Sequence, residues 1–140
     1  MLGTIRTLDA DMRTLVHKRL REIVQNVAEA NNAEATLEID EGYPITYNET
    51  KLFNQMLPSL RRVAGDGNVR IIPAITGAED FSFFQQEIPG MFFFVGGCPE
   101  GSDPKKAAPH HTPDFYVDDS GMLLGMKAMA TLTLDYLSNN

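Results

Sequence analysis

Along residues 10–30 the apolar side chains return at steps of three and four. Met12, Leu15, Val16, Leu20, Ile23, Val27 and Ala30 form one stripe, and Arg13, Lys18, Arg21, Glu22, Gln25 and Glu29 fall mostly off it. That period predicts an amphipathic helix. Asp9 stands where an N-cap is needed, and Asn31 and Asn32 tolerate the left-handed backbone that ends helices. On either side the period changes to two. Residues 2–8 set Ile5 between Thr4 and Arg6. Residues 34–42 put Ala35, Leu37 and Ile39 on one side and Thr36, Glu38 and Asp40 on the other. Both read as short strands, the second half-buried. Strand, helix and strand with a long crossover predict two strands of one sheet under a covering helix.

Gly42-Tyr43-Pro44 breaks this texture and predicts a boundary between residues 1–42 and 43–140. Asn48 is positioned to cap a second helix, with Leu52, Phe53, Met56, Leu57, Leu60 and Val63 on its stripe. Pro58 falls inside it and predicts a kink, or a restart at Ser59. Gly65-Asp66-Gly67 reads as a turn. Val69–Ile72 has a buried-strand pattern closed by Pro73, and residues 78–87 predict a short helix. Met91-Phe92-Phe93-Phe94-Val95 is the most apolar run in the chain, the signature of a strand covered on both faces. Six of the eight phenylalanines lie between residues 81 and 94, where they fit a core between helix and sheet better than a ligand cage. Residues 96–113 are the longest stretch without a period. Asp118 or Asp119 then caps a last helix with Met122, Met126, Met129, Ala130, Thr133 and Leu137 on one face. The expected class is α/β.

Charge and composition narrow the functional classes. The chain has 12 Lys+Arg and 19 Asp+Glu among 140 residues, a formal net charge of −7, and neither side of Tyr43 is basic. No nucleic-acid footprint is expected from this balance. No apolar run approaches a membrane span, and the first residues have no secretory apolar core. The single cysteine, Cys98, fits a reducing, cytoplasmic setting and is more readily an inert thiol than a nucleophile. His17 lies beside the first apolar stripe and reads as a surface or boundary residue.

Three clusters could carry chemistry. His110-His111, followed by Asp114, Asp118 and Asp119, offers imidazole ligands in a loop, although adjacent side chains in extended backbone diverge. Thr76-Gly77-Ala78-Glu79-Asp80-Phe81 places a glycine and two carboxylates at a helix start, where α/β sheets bind ligands. The same acids serve equally to oppose the helix dipole. Gly96-Gly97-Cys98 allows close backbone approach to a ligand and serves equally as a plain turn. No phosphate loop, dinucleotide fingerprint, CxxC pair or Ser-His-Asp order is present.

Taken in order, GTIRTLD (3–9), YPITYNE (43–49), LPSLRRVAG (57–65), TGAEDFSFF (76–84), IPGMFFFVGG (88–97) and HHTPDFYVDD (110–119) resemble the C-terminal portion of one family. It is that of the metal-dependent amidohydrolases, which includes hippurate hydrolase, N-acyl-amino-acid hydrolases and auxin-conjugate hydrolases, within the aminoacylase and carboxypeptidase group of zinc peptidases. The resemblance implies a β-α-β half of a lid, or dimerisation, domain over residues 1–42. Residues 43–140 are then the C-terminal α/β segment of a two-metal catalytic domain. It makes His111 a metal ligand, since His111, Pro113, Phe115 and Asp118 match the family's H-x-P-x-F-x-x-D-E segment, with Asp119 where Glu is common. It makes Gly77, Glu79 and Asp80 pocket-lining residues, and Gly96 and Gly97 substrate-binding ones.

The bridging carboxylate, the other metal ligands, the general-base glutamate and the lid histidine of that family have no counterpart in this sequence. No residue here is therefore assigned as catalytic. The resemblance implies hydrolysis of amide bonds in N-acyl amino acids or small peptides, with zinc or manganese in the complete parent enzyme, while this chain alone need hold no metal. The chain reads as a C-terminal fragment, inactive alone and part of a homo-oligomer, with no nucleic-acid or membrane partner. Two other readings stay open. One is a non-catalytic dimerisation module; the other is a small mononuclear hydrolase built on His110, His111 and a nearby aspartate.

Overall fold

The structure, a computed structural model, describes residues 1–139. Among the described residues there are four α-helices: α1 (Ala10–Ala30), α2 (Thr50–Ala64), α3 (Phe81–Glu87) and α4 (Ser120–Ser138), with 3-10 turns at Asp66–Asn68 and Pro104–Lys106. The chain divides into two compact units. One comprises Met1–Tyr47 and Ile72–Pro89, the other Asn48–Ile71 and the chain from Gly90 onward.

The expected α/β class, a β-α-β half-lid followed by an α/β segment, is overturned. Among the described residues no strand forms, and residues 2–8, 34–42, 69–72 and 91–95 are irregular. Alternation shows which side chains can share a face. It does not supply the neighbouring backbone that makes a ladder. Leu37 and Ile39 are indeed half-buried between exposed neighbours, without any strand to carry them. The apolar run at 91–95 finds its bonds elsewhere: the Phe92 N–H donates to Asn48 Oδ1 at 2.6 Å. Just outside it, the Gly90 carbonyl accepts from the Glu49 N–H at 3.0 Å and the Gly97 carbonyl from the Asp118 N–H at 2.8 Å. Instead of being covered on both faces, Phe94 is 56% exposed, with its ring edge-on to Phe92.

In the first unit, Asp9 caps α1 as expected, accepting from the Met12 N–H at 2.7 Å. The helix ends at Asn31 and Asn32, the latter at φ 50°. Arg13 and His17, one turn apart on α1, both reach the segment after residue 40. The Arg13 guanidinium donates to the Tyr43 carbonyl at 3.2 Å, and His17 Nδ1 lies 3.9 Å from a Glu41 carboxylate oxygen. His17 is buried rather than superficial, at 6% exposure. On α3, the buried Gln85 side chain accepts from the Tyr47 N–H at 3.2 Å and donates to the Tyr47 carbonyl. One side-chain amide thus does what a neighbouring backbone would do in a sheet. Tyr43 and Phe83 stack at a tilt, 5.7 Å between centroids.

In the second unit, α2 and α4 pack side by side and bury Met56 and Ala128. Glu49, not Asn48, caps α2; its carboxylate accepts from the N–H groups of Lys51 at 3.0 Å and Leu52 at 2.7 Å. Those bonds hold its carboxyl below the usual range, the Leu52 bond more strongly than the Lys51 bond. The helix runs through Pro58 without a break and stops at Gly65, whose φ of 84° favours glycine. Between the helices, the Ser59 hydroxyl and the Arg62 guanidinium both donate to the Asp135 carboxylate. The residues of α4 turned inward mix small, polar and apolar side chains, among them Gly121, Leu124, Gly125, Ala128, Leu132 and Asp135. Met122, Leu123, Met126, Met129, Leu134 and Leu137 are exposed.

Candidate functional site

The sequence-derived site residues fall into both units. Gly77, Glu79 and Asp80 belong to the first, and Gly96, Gly97 and His111 to the second.

In the first unit, Arg6 anchors the approach to α3 by donating to the Thr76 carbonyl at 2.6 Å. Gly77 follows, exposed, and a Cβ there would meet only Ile75 at 3.9 Å, so local packing places no demand for glycine. Glu79 is half-buried and Asp80 exposed. The start of α3 is secured without either carboxylate. Its N-cap, Asp80, makes no side-chain capping bond. Instead the fully buried Ser82 donates both its N–H, at 3.1 Å, and its hydroxyl, at 2.6 Å, to the Glu79 carbonyl. Both acids are thereby left to other work than capping.

In the second unit, the two glycines have different reasons. A Cβ on Gly97 would come within 3.0 Å of Val117 Cγ1, whereas one on Gly96 would meet nothing within 4 Å. It is the Gly96 carbonyl that is crowded: a Cβ on Gly121 of α4 would sit 2.6 Å from it. The Asp118 carboxylate accepts from the Ser120 N–H at 2.7 Å. Ser120, through its hydroxyl first and its N–H second, holds the Asp118 carboxyl below the usual range. Asp118 therefore secures the start of α4, while Asp119, the N-cap residue by position, makes no side-chain capping bond.

His110 and His111 lie in the turn before this helix, both exposed. The Thr112 hydroxyl donates to the Pro109 carbonyl at 2.7 Å and the Phe115 N–H to the Thr112 carbonyl at 3.1 Å, closing the turn. Phe115 packs edge-on against His110, 4.7 Å between centroids. His111 sits at φ 64°, in the left-handed region. A non-glycine residue held there costs on the order of 1 kcal/mol, and such positions cluster at functional sites. The phenylalanine and the local turn thus fix one imidazole and leave the next at a strained, exposed position.

Two buried polar residues were not found as such from the sequence: Gln85 was not singled out, and His17 was read as a surface or boundary residue. His17 had one available signal, its i, i+4 spacing from Arg13.

The family model for the peptidase family M20/M25/M40 matches residues 5–135. The chain belongs to this family. Within it, the chain is 27% identical to the putative amidohydrolase YhaA of Bacillus subtilis over 136 residues, covering 97% of this chain and 34% of that protein. It is 33% identical to thermostable carboxypeptidase 2 of Saccharolobus solfataricus, covering 97% of this chain and 34% of that protein. It is also 33% identical to the N-acetyldiaminopimelate deacetylase of Lactococcus lactis, covering 90% of this chain and 34% of that protein. The chain therefore spans about a third of the length of the curated relatives it matches. No solved structure matches at comparable significance.

M20 peptidases are generally metal-dependent. An exposed imidazole such as His111 has the chemistry of one ligand. Among the described residues no group of three or more His, Cys, Asp and Glu side chains is placed to hold a metal ion. These residues fit a contribution to a metal centre, not a complete one. Among the described residues, no helix is long and apolar enough to cross a membrane.

Proposed function

We propose that this chain provides part of the active site of an M20 amidohydrolase that cleaves amide bonds of N-acyl amino acids or small peptides. Water adds to the amide carbonyl, the C–N bond breaks, and a carboxylic acid and an amine leave. His111 is read as one ligand of a divalent metal, zinc or manganese, which in such sites polarises the carbonyl and acidifies water. Gly77, Glu79 and Asp80 are read as pocket-forming, and Gly96 and Gly97 as a backbone surface against the substrate. Residues 1–42 are assigned to a lid domain and 43–140 to the catalytic domain, in an assembly with other copies in the cytoplasm.

The observation that carries this reading is the placement of His111. It is exposed and held at positive φ, within the HTPDF segment of a chain matched by the family model from residue 5 to residue 135. The test is hydrolysis of N-acetyl amino acids, followed by amine release with added zinc or manganese. The 140-residue chain alone is expected to be inactive. A form that includes the region outside the match is expected to be active, and its His111→Ala variant to lose at least about 100-fold in kcat/KM together with bound metal. Brisk turnover by the chain alone would overturn the dependence on other residues. Unchanged metal content in His111→Ala would overturn the ligand assignment.

A further inference from the structure

Within this chain His111 is aimed by its backbone. Among the described residues its imidazole makes no hydrogen bond, and its ring neighbour is His110, 6.4 Å away between centroids. A histidine in a metal site usually has its second ring nitrogen tied by a hydrogen bond that fixes the ring. Here the direction comes from the Cα, which sits at φ 64°. A return to ordinary negative φ would swing the Cα–Cβ bond by roughly 120°. A ligand nitrogen lies about 2 Å from its metal, so such a swing would take the ring out of reach.

Two straps cross this residue. The Thr112 hydroxyl donates to the Pro109 carbonyl at 2.7 Å, bridging His110 and His111. The second strap is aromatic. Thr112-Pro113-Asp114-Phe115 is a β-turn, closed by the Phe115 N–H on the Thr112 carbonyl, with proline where it pre-sets φ. His111 lies outside that turn, so its backbone bond does not hold the histidine. The Phe115 ring reaches back past His111 to the His110 ring, edge-on and 4.7 Å between centroids, a favourable geometry for an aromatic pair. The same five steps along an extended chain would span roughly 17 Å. The contact therefore closes a loop that reverses direction inside it, and His111 at positive φ is part of the reversal.

We propose that His110 and Phe115 are positioning residues, whose ring contact holds His111 in the left-handed conformation that sets the direction of its imidazole. His110 acts through its ring and not as a second ligand. The proposal rests on reading His111 as a metal ligand.

Four variants separate ring from nitrogen. His110→Phe and Phe115→Tyr keep the aromatic pair, whereas His110→Ala and Phe115→Leu break it. Phe115 is 43% exposed, so neither change there removes a core residue. The first readout is the NMR cross-peak between the amide and α protons of His111 in the 140-residue chain, strongest at positive φ because the two protons then approach each other. The second is zinc affinity, by chelator competition, in the form that includes the region outside the match. The ring-keeping variants are expected to retain both the strong cross-peak and the zinc affinity. The ring-breaking variants are expected to lose the cross-peak and to bind zinc about tenfold more weakly. A strong His111 cross-peak in Phe115→Leu and His110→Ala would overturn the proposal. So would zinc weakened as much by His110→Phe as by His110→Ala, because His110 would then be a ligand. If the ring-breaking variants lose the cross-peak while zinc binding is indifferent to His111→Ala, the ligand reading has failed and the positioning role with it. If zinc depends on His111 while the cross-peak never changes, the positioning role alone has failed and the proposed function stands.

Discussion

Each of the two units is stabilised internally by different means. In the second, α2 and α4 lie against each other, bury Met56 and Ala128, and lock through Ser59, Arg62 and Asp135. In the first, among the described residues, α1 and α3 do not pack on each other, and the unit is tied by side chains that reach distant backbone: Arg6 to Thr76, Arg13 to Tyr43, Gln85 to Tyr47. Apolar burial sums over many contacts, whereas a single hydrogen bond nets about 1 kcal/mol. The second unit should therefore open last and the first unit earlier, piece by piece.

The largest test of that contrast is Met56→Ala. It removes the main buried side chain between α2 and α4 and should cost about 3 kcal/mol in denaturant unfolding followed by circular dichroism. A loss below about 1 kcal/mol would mean that α2 and α4 are not the centre of stability.

Next in size is a pair of glycine substitutions on α4. Gly121→Ala places a methyl group 2.6 Å from a backbone oxygen that cannot step aside, and should cost about 2 kcal/mol. Gly125→Ala meets Val95 at 3.6 Å, an ordinary contact, and should gain up to about 1 kcal/mol from helix propensity. Thermal melts of the two variants should shift in opposite directions. A shift in the same direction would show that the approach of α4 to residues 95–96 is looser than described.

In the first unit, Gln85→Ala strips both partners from Tyr47 and should cost about 1–2 kcal/mol. The loss should be local. Amide exchange should rise in peptides covering residues 43–47 and stay unchanged in α2 and α4. Global loosening would show that this pairing is not a local tie.

The helices were legible because their signals are local. The period of 10–30 and the carboxylate of Asp9 sit within one another's reach, and the structure returns both. Where a signal had two possible users, the sequence could not choose between them. Asn48 and Glu49 are adjacent acceptors at one helix start, and Asn48 spends its oxygen on the Phe92 N–H, 44 residues away. The strand patterns at 34–42 and 91–95 marked residues suited to a sheet, but a sheet also needs a neighbour, and no pattern within a segment reports one. The apolar stripe on α4 was read correctly as one face, yet it lies opposite the face that α2 uses. At the candidate site, the resemblance of the HTPDF segment singled out His111 as a candidate, while its strained φ depends on a turn closed by Thr112 and Phe115.

Acid should separate the units with the smallest effect but the clearest sign. Glu49, Asp118 and Asp135 all belong to the second unit, and each has its carboxyl held below the usual range. For Asp135 the cause is the Ser59 hydroxyl first and the Arg62 guanidinium second. A carboxylate whose pKa is lower folded than unfolded adds stability that is fully present above its unfolded value, about 4, and is lost as pH falls through the folded value. In the first unit the tie between Gln85 and Tyr47 involves no carboxylate. Lowering the pH from 7 to 3 should therefore weaken amide protection in α2 and α4 while leaving the Tyr47–Gln85 pairing intact. The Asp135 carboxylate is partly exposed, so water and salt screen it and the change should be modest. Asp135→Asn should remove part of the acid sensitivity of α2 and α4, because an amide has no charge to lose. If the variant titrates like the parent chain, the hold between α2 and α4 is apolar and the Ser59–Asp135–Arg62 cluster only orients it.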